Sequence, residues 1–325
     1  MADFTDRVTD GLYAAGWAVV RRAPERLMAV VFRRIADVVW RRRGPAIMQL
    51  EANLRRIVGD DETVLRATSR AGMRSYMRYW LDLFRLPVWS KQRVMSTVLF
   101  DGTEAFRALQ HQGRGAVLAL PHMANWDAAG AWLVTSGFPF TTVAERLKPE
   151  SLFDRFVAFR ESLGMEVLAL SGGERSPYDV LRTRVKNGGV VCLVCDRDLS
   201  ATGIPVQFFG ETARMPAGPA MLAISTGAAL IPVTLWYDGQ HIRGRFHDEI
   251  PVPADGNRRA KVTAMTQEMA ATFAGAIAAH PEDWHMLQKF WVADLPAERR
   301  AAVEGTTPVD GTTPVEGTTP ISSTR

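Results

Sequence analysis

The stretch GAVLALPHMANWDAAGAWL, residues 115–133, decides the fold class of this chain of 325 residues. Its first half is an uninterrupted apolar run, which is typical of a strand buried on both faces of a sheet. Pro121 ends that run, because proline cannot continue a central strand, and a helix is predicted to begin near Asn125. A buried strand that leads through a short turn into a helix is typical of α/β proteins.

The same alternation continues through the rest of the chain from residue 94. Apolar segments that predict strands lie at 115–121, 140–145, 165–170, 190–196 and 228–236. Predicted helices lie at 151–163, 177–187, 215–227, 258–279 and 282–292. We therefore expect an α/β fold in which helices flank a central, mostly buried β-sheet.

The first 93 residues are predicted to be helical and to face a membrane. In residues 11–43 an apolar stripe has arginines beside it. Such a basic amphipathic helix suits a membrane interface, although a solvated surface helix has the same pattern. In residues 62–86 an arginine recurs every four positions, which forms a stripe that either binds phosphates or faces solvent. The stripes are Leu27, Val31, Ile35 and Val38 in the first helix and Arg66, Arg70, Arg74 and Arg78 in the second.

Positive charge is concentrated near the N-terminus, although the net charge is only +4. Residues 21–43 hold eight arginines against Glu25 and Asp37, which indicates an anionic partner, either acidic lipid or nucleic acid. Aromatic amphipathic helices favour lipid, and no nucleic-acid module is recognised. The chain has no charge-free apolar stretch of about 20 residues and no basic signal-peptide start. We expect a peripheral protein on the cytoplasmic face of the cell membrane.

One domain is predicted over residues 1–300, with a helical membrane-facing part at 1–93 and an α/β core at 94–300. Residues 301–325 are predicted to be a disordered tail, because the repeat VEGTTP, VDGTTP, VEGTTP is too polar to bury a core. Cys192 and Cys195 are interpreted as buried structural thiols, since residues three apart on a strand face opposite sides. No metal site is predicted.

His122 and Asp127 form the candidate catalytic pair. Positions five apart on a regular helix differ by about 140°, so the side chains meet only if His122 lies on the turn before the helix. Asp127 could then accept a hydrogen bond from one imidazole nitrogen while the other takes a proton from a substrate hydroxyl. No serine or cysteine nucleophile is evident in this segment, which favours direct attack by the hydroxyl. A structural histidine in a turn is the alternative.

The residues His122-Met-Ala-Asn-Trp-Asp127 resemble the HxxxxD signature of the lysophospholipid acyltransferase superfamily. Similar blocks follow in the expected order, TTVAERLKPE at 141–150 and FDRFVAFRESLGMEVL at 153–168. Within 194–233, the FFG and PAGPAMLA runs resemble the lipid A lauroyl-acyltransferase branch. Within this branch, the combination of DRDL, VQFFGETARMPAGPA and TGAALIPV most resembles the actinobacterial phosphatidylinositol mannoside acyltransferases. The PEGTR block of glycerol-phosphate acyltransferases is absent.

This resemblance implies a membrane-associated enzyme that moves a palmitoyl-type chain from acyl-CoA to a mannose hydroxyl of an anionic glycolipid. Acyl-CoA is then a co-substrate, and no cofactor is implied. The resemblance also implies His122 as the base, Asp127 as its partner and Asp196 as a second acidic residue near the histidine. The mannoside enzymes tend to have glutamate at this last position, which reaches one methylene further.

Substrate-binding residues are also expected around this pair. The resemblance places Glu145 and Arg146 at the polar positions of the second block and Arg160 beside the site. Arginines can hold the phosphates of the acceptor or of CoA, and apolar residues can line an acyl groove. The candidates are Arg160, Arg197 and Arg214 for phosphates and Met123, Trp126 and Phe208 for the groove. Structural ion pairs and core packing are the respective alternatives.

Three other functions stay open. Acyl transfer to a different lipid headgroup fits the same residues. Asp196-Arg197-Asp198 also matches the DxD of metal-dependent glycosyltransferases. A membrane-binding protein without catalysis is the third.

Overall fold

Nine strands and their connecting helices make up the part of the chain that the computed structural model describes, residues 16–145, 150–171, 176–198 and 202–305. The strands are β1 (Val98–Asp101), β2 (Ala116–Leu120), β3 (Phe140–Ala144), β4 (Glu166–Ala169), β5 (Val190–Val194), β6 (Ile204–Phe208), β7 (Glu211–Met215), β8 (Ala229–Asp238) and β9 (His241–Phe246). The helices are α1 (Glu25–Arg42), α2 (Pro45–Val58), α3 (Glu62–Arg85), α4 (Lys91–Thr97), α5 (Thr103–His111), α6 (Trp126–Thr135), α7 (Glu150–Ser162), α8 (Pro177–Lys186), α9 (Gly218–Thr226), α10 (Arg258–Ala279) and α11 (Ala297–Gly305). A helical segment at 16–22 precedes α1.

The central sheet has seven strands in the order β1-β9-β8-β2-β5-β3-β4, and β6 and β7 form a separate antiparallel hairpin. Strands β8 and β9 run antiparallel, whereas β2 is parallel to both of its neighbours, β8 and β5. All five residues of β2 are buried, as expected for a strand in the middle of a sheet. The carboxyl ends of β2 and β5 lie at the same edge of the sheet, where ligands commonly bind in α/β proteins.

Helix α3 joins the N-terminal helices to the core. It begins after Asp61, whose side chain accepts the amides of Thr63 and Val64 at 2.8 and 3.1 Å. It ends at Arg85 and passes into a 3-10 turn at Leu86–Val88, because Pro87 has no backbone N–H to continue the α-helical hydrogen bonds. Helices α1 and α2 both pack against α3.

The arginine stripe of α3 is engaged in contacts within the protein. Arg70 and Arg74 each bind both carboxylate oxygens of the buried Asp37 on α1, at 2.7–3.0 Å. Arg66 pairs with the buried Glu51 of α2, and Arg78 donates to a backbone carbonyl at 2.8 Å. These arginines are neither a phosphate-binding stripe nor a solvated face. Their ion pairs connect α3 to α1 and α2.

The predicted fold class is confirmed, and each of the five predicted strands is present within a few residues of its expected bounds. The structure adds β1, β6, β7 and β9, which sequence patterns did not indicate. The helix predicted at 282–292 is wrong. That region contains short 3-10 turns at Pro281–Asp283 and Val292–Asp294, and its aromatic side chains between them are buried in the core. Tertiary packing overrides the helical pattern there.

The expected domain boundaries fall inside helices. The division between 93 and 94 lies within α4, and the expected end at residue 300 lies within α11. Residues 301–305 are therefore helical rather than disordered, and Val303 is buried. Residues 306–325 lie outside the described residues. Within the described chain, no helix has both the length and the apolar character needed to cross a bilayer.

Candidate active site

His122 lies on a tight turn between β2 and α6. The amide of Met123 donates to the carbonyl of Pro121 at 2.7 Å, and Ala124 adopts a left-handed conformation with a φ of 46°. Asn125 then caps α6, because its side-chain oxygen accepts an amide of the first helical turn at 2.9 Å. The structure confirms that His122 precedes the helix. Its side chain is 39% exposed, so the imidazole is accessible to a substrate.

The carboxylate that contacts the imidazole belongs to Asp196 and not to Asp127. Asp196 Oδ1 lies 2.5 Å from His122 Nδ1, and Asp196 Oδ2 accepts the His122 amide at 3.0 Å. The indole Nε1 of Trp284 donates to the same Oδ2 at 3.0 Å. The prediction that Asp127 binds the imidazole is wrong. Asp196 takes this place because it follows β5, the parallel neighbour of β2.

The buried Asp196 carboxylate is held in its ionised form. Burial by itself raises its pKa, but the charge of His122 and the hydrogen bonds from His122 and Trp284 outweigh burial, so the pKa of Asp196 lies below its ordinary value. Because an ionised carboxylate only accepts hydrogen bonds, His122 Nδ1 carries a proton, and in the neutral form of the imidazole the lone pair lies on Nε2. Within the described chain, Nε2 has no hydrogen-bond partner. It is therefore free to accept the proton of an alcohol.

Asp127 holds two other side chains in place. It accepts hydrogen bonds from Arg160 Nε at 2.6 Å and from the Tyr79 hydroxyl at 2.9 Å, and it is 2% exposed. Burial lowers the pKa of Arg160, but the neighbouring Asp127 carboxylate more than compensates, so the net shift is upward. Asp127 thus joins α6 to α3 and α7. The structure places Arg160 next to Asp127 and thus beside the site, as the resemblance implies.

Aromatic rings line one side of His122. The Trp126 ring meets the imidazole edge-on, with centroids 5.3 Å apart, and it stacks on Tyr79 at 4.4 Å. The ring of His285 lies 6.3 Å from Trp126, and burial lowers the pKa of His285 to about 3, so this second histidine is neutral. Trp126 lies beside the imidazole, and its contact with an acyl chain stays a prediction.

A narrow cavity extends from Trp126 and Asp127 between α6 and the sheet. The empty space among its lining residues, including its opening to solvent, is about 630 Å³. Apolar side chains dominate its walls, among them Leu118, Leu120, Leu133, Phe140, Val143, Met165 and Val194. Gly130 allows two of the lining side chains to pack close to α6, because a Cβ atom there would lie 2.8 Å from Met165 and 2.9 Å from Phe140. Such a cavity suits a hydrocarbon chain.

Cys192 lies in β5 and Cys195 directly follows it. Cys192 lines the cavity, and Cys195 is buried with its sulfur 3.8 Å from the sulfur of Met269. Both are unpaired. Burial raises the pKa of both thiols, as expected for unreactive cysteines.

Two of the predicted polar residues lie near Asp196. Arg197 is half-buried and hydrogen-bonds to the side chain of Gln288, while Glu145 is exposed at the end of β3 and raises the pKa of Arg197. Burial of Arg197 has the larger effect and lowers its pKa overall. Arg146 lies outside the described residues. Substrate binding by these three residues stays a prediction.

Arg214, Met123 and Phe208 lie in the interior. Arg214 is 4% exposed and donates to the carbonyl of Val303 at 3.0 Å, so α11 covers it. Met123 forms a β-bridge with Trp284, and neither Met123 nor Phe208 is more than 1% exposed. The prediction that these three residues contact substrate is therefore corrected. The alternatives of structural contacts and core packing describe them, because their side chains have almost no accessible surface.

The chain was also compared with known proteins. Its sequence matches the family described as "Bacterial lipid A biosynthesis acyltransferase" over residues 2–292. The chain belongs to this family. The resemblance indicated by the HMANWD segment and the later blocks is thereby confirmed.

Individual proteins are also similar to this chain over most of its length. A phosphatidylinositol mannoside acyltransferase of Mycolicibacterium smegmatis is 50% identical over 297 residues, covering 91% of this chain and 95% of that protein. The protein of the same name from Mycobacterium tuberculosis is 48% identical over 300 residues, covering 91% and 93%. A crystal structure of the 1-acyl-sn-glycerophosphate acyltransferase from Thermotoga maritima covers 77% of this chain and 96% of its own, with 14% identity and a TM-score of 0.34. That last likeness is too low to identify a shared fold.

Sequence reasoning on this family member missed Tyr79 and the segment Asp283–His285, both of which contact the site. The HxxxxD signature is local, whereas these residues reach the site from other elements. Tyr79 lies in the helix predicted at 62–86, and nothing in that helical pattern indicates a contact with Asp127. The region of Asp283 was expected to be helical, a pattern that gives no indication of contact with His122.

Proposed function

We propose that this protein transfers a long, palmitoyl-type acyl chain from acyl-CoA to a mannose hydroxyl of a phosphatidylinositol mannoside, with His122 as general base. The observation that carries the proposal is the accessible imidazole of His122, whose Nδ1 lies 2.5 Å from the buried carboxylate of Asp196. The names of the mycobacterial relatives support the acceptor.

The reaction proceeds by direct attack of the acceptor. As the mannose oxygen bonds to the thioester carbonyl carbon, its proton passes to Nε2 of His122, and the ionised Asp196 stabilises the resulting imidazolium. When the C–S bond breaks, the same proton passes to the CoA sulfur, which leaves as a thiol. The imidazole is thereby returned to its starting state.

The tetrahedral intermediate needs hydrogen-bond donors for its oxyanion. The amides of His122, Met123 and Ala124 already donate to Asp196 and to the carbonyls of Pro121 and Asp283, respectively. We assign the oxyanion instead to the amides of the first turn of α6 or to the guanidinium of Arg160. The acyl chain would lie in the apolar cavity beneath α6, with its thioester end near Trp126.

The principal test replaces His122 by alanine. Purified protein is given palmitoyl-CoA and phosphatidylinositol mannoside, and the product is measured by mass spectrometry. We expect at least about a 10²-fold loss of rate, since a general base contributes 10²–10⁴-fold. His111→Ala, at the exposed end of α5, is the matched control and should retain activity. Full activity of His122→Ala with a native circular dichroism spectrum would refute the proposal.

The donor and the acceptor are tested separately. Release of free CoA that depends on added glycolipid supports acyl-CoA as the donor. A panel of acceptors with and without mannose then distinguishes mannoside acylation from transfer to another headgroup. If a mannose-free phospholipid is the better acceptor, the mannose assignment is wrong.

The DxD alternative is disfavoured by the position of Asp196. Its Oδ1 contacts the His122 imidazole, and its Oδ2 accepts the His122 amide and the Trp284 indole, so both oxygens are engaged by groups of the protein. The group His280, Glu282 and Asp283 brings possible ligand atoms within 4.8 Å of one another in the described chain, but it contains neither acid of the DxD. Activity that survives EDTA supports the acyltransferase, whereas complete loss supports a metal-dependent reaction.

We further propose that the outer face of α1 binds anionic membrane. Leu27, Val31, Ile35 and Val38 are 36–54% exposed and form an apolar stripe along the helix. The helix also carries exposed arginines, including Arg26, Arg34, Arg41 and Arg42, which form no ion pair with any described residue. An exposed helix surface that combines apolar residues with arginines matches the acyl and headgroup layers of an acidic bilayer.

Vesicle co-sedimentation tests this surface. The wild-type protein should bind vesicles that contain acidic lipid, and binding should weaken as salt rises. Val31→Ser should reduce binding, while Val252→Ser, at another exposed valine (43%), should not. Equal binding to neutral vesicles at all salt concentrations would refute the electrostatic contribution.

A further inference from the structure

A short segment of the chain, Asp283–His285, runs antiparallel to the turn that carries His122. Trp284 and Met123 form a β-bridge at its centre. On one side the Ala124 amide donates to the carbonyl of Asp283 at 2.9 Å, and on the other the His285 amide donates to the carbonyl of His122 at 2.8 Å. These bonds fix the backbone of His122 from outside its own strand and helix.

The segment is itself attached to the core by side chains. Asp283 accepts the Ser75 hydroxyl at 2.6 Å and the Tyr237 amide at 2.7 Å. The Nε2 atom of His285 lies 2.8 Å from the Ser75 oxygen. Helix α3 and strand β8 therefore both hold the segment, and its position beside His122 does not depend on one contact.

Trp284 extends from this segment to the carboxylate of the catalytic pair. Its side chain is fully buried, and its Nε1 donates to Asp196 Oδ2. The His122 amide donates to this same oxygen, which leaves Oδ1 directed at the imidazole. The rings of Phe290 and Trp291, with centroids 4.9 and 6.0 Å away, restrict movement of the indole.

We infer that Trp284 is a positioning residue, which fixes the rotation of the Asp196 carboxylate and stabilises its charge so that His122 can act as a base. The inference rests on the proposed role of His122. A carboxylate that is buried away from solvent remains ionised only if hydrogen-bond donors stabilise its charge. The N–H of Trp284 is one of these donors, and among the described residues it is the only side-chain donor to Asp196 besides the imidazole.

Loss of this N–H has two consequences. The carboxylate can rotate, so that fewer molecules hold Oδ1 against the imidazole. The ionised form of Asp196 also loses a stabilising hydrogen bond, which raises its pKa and favours protonation of the pair. The other titratable or charged groups around the pair are Cys195, Arg197 and His285, and the Trp284 indole donates to none of them.

The experiment compares two tryptophans of one cluster. Trp284→Phe removes the N–H to Asp196, whereas Trp291→Phe removes an N–H that donates to the carbonyl of Phe208 at 3.0 Å. Both indoles are fully buried. The rate of CoA release is measured from about pH 5 to pH 9, and thermal unfolding is followed for each variant.

For Trp284→Phe we expect kcat to fall about 10- to 100-fold with a nearly constant KM. The acid limb of the pH profile, where the rate of CoA release falls as the pH is lowered, should move to higher pH by about one unit. Trp291→Phe should leave the limb in place. An unchanged limb in Trp284→Phe, or an equal shift in both variants, would overturn the inference, because a purely structural role lowers the rate at every pH.

A second measurement does not require the variant to fold. Wild-type protein with 15N-labelled indole groups contains nine tryptophans. One indole N–H resonance should titrate with the midpoint of the acid limb, and the absence of such a resonance would overturn the inference. His122→Ala in the same assay separates the two proposals. If it is inactive while Trp284→Phe behaves as the wild type, only the role of Trp284 is rejected; if it is active, the proposed base is rejected.

Discussion

The substitution Asp196→Asn tests the site most directly, because the structure determines how the new amide must orient. Asp196 Oδ2 accepts two N–H donors, the His122 amide and the Trp284 indole, both at 3.0 Å. The amide oxygen must occupy this position, so the amide nitrogen faces His122 Nδ1. That nitrogen donates hydrogen bonds, and Nδ1 must therefore accept one. The imidazole proton then moves to Nε2, which loses the lone pair needed to accept the substrate proton.

The expected cost follows from this tautomer change. We expect kcat to fall about 10³- to 10⁴-fold, or about 4–5.5 kcal/mol of activation free energy, with little change in KM. The corresponding carboxylate-to-amide change in serine proteases has a similar cost for the same reason. The assay is CoA release from palmitoyl-CoA in the presence of phosphatidylinositol mannoside, with the acylated product identified by mass spectrometry.

Two further variants make the result interpretable. Asp198→Asn changes the neighbouring acid of the same Asp-Arg-Asp segment and should retain most of the activity. Asp196→Glu keeps the charge and should retain more activity than Asp196→Asn. If Asp196→Asn is folded and loses less than about tenfold, the tautomer argument is wrong. If both asparagine variants are equally inactive, the DxD interpretation gains support.

Three other perturbations follow from the structure. Gly130→Val should narrow the cavity and shift the product toward shorter acyl chains, as read by mass spectrometry, whereas Gly275→Val, in open space, should leave the product unchanged. Asp127→Asn should lower the free energy of unfolding by about 3 kcal/mol in denaturant titration, because it weakens a buried ion pair. The acid limb of the pH–rate profile of Asp127→Asn should match that of the wild type, and a shifted limb would indicate that Asp127 contacts the imidazole. The pKa of Asp82 is raised to about 7, mainly by burial, so its stabilising contribution is complete below its unfolded pKa and is lost as pH rises through 7. Between pH 6 and pH 8, Asp82 should lower the free energy of unfolding of the wild type by about 1.4 kcal/mol. This decrease should be absent in Asp82→Asn and present in the exposed control Asp255→Asn.

The sequence alone was sufficient for features whose signal is local. Buried parallel strands are continuous apolar runs, and so β2, β5 and β8 could be predicted without knowledge of their partners. Pro121 ends β2 by removing a backbone donor, and that placed His122 on the turn before α6. The HxxxxD segment and the blocks after it also indicated the acyltransferase family, because these motifs are short and occur in a fixed order.

The tertiary structure decided which groups meet. The spacing of five residues suggested Asp127 as the partner of His122, yet Asp127 faces Arg160 and Tyr79 from the first turn of α6. Asp196 contacts the imidazole because β2 and β5 are adjacent and parallel. Trp284 donates a hydrogen bond to Asp196 from a segment that the sequence pattern predicts to be helical. Strand order and the burial of aromatic side chains arise from contacts between distant parts of the chain, and no local periodicity encodes them.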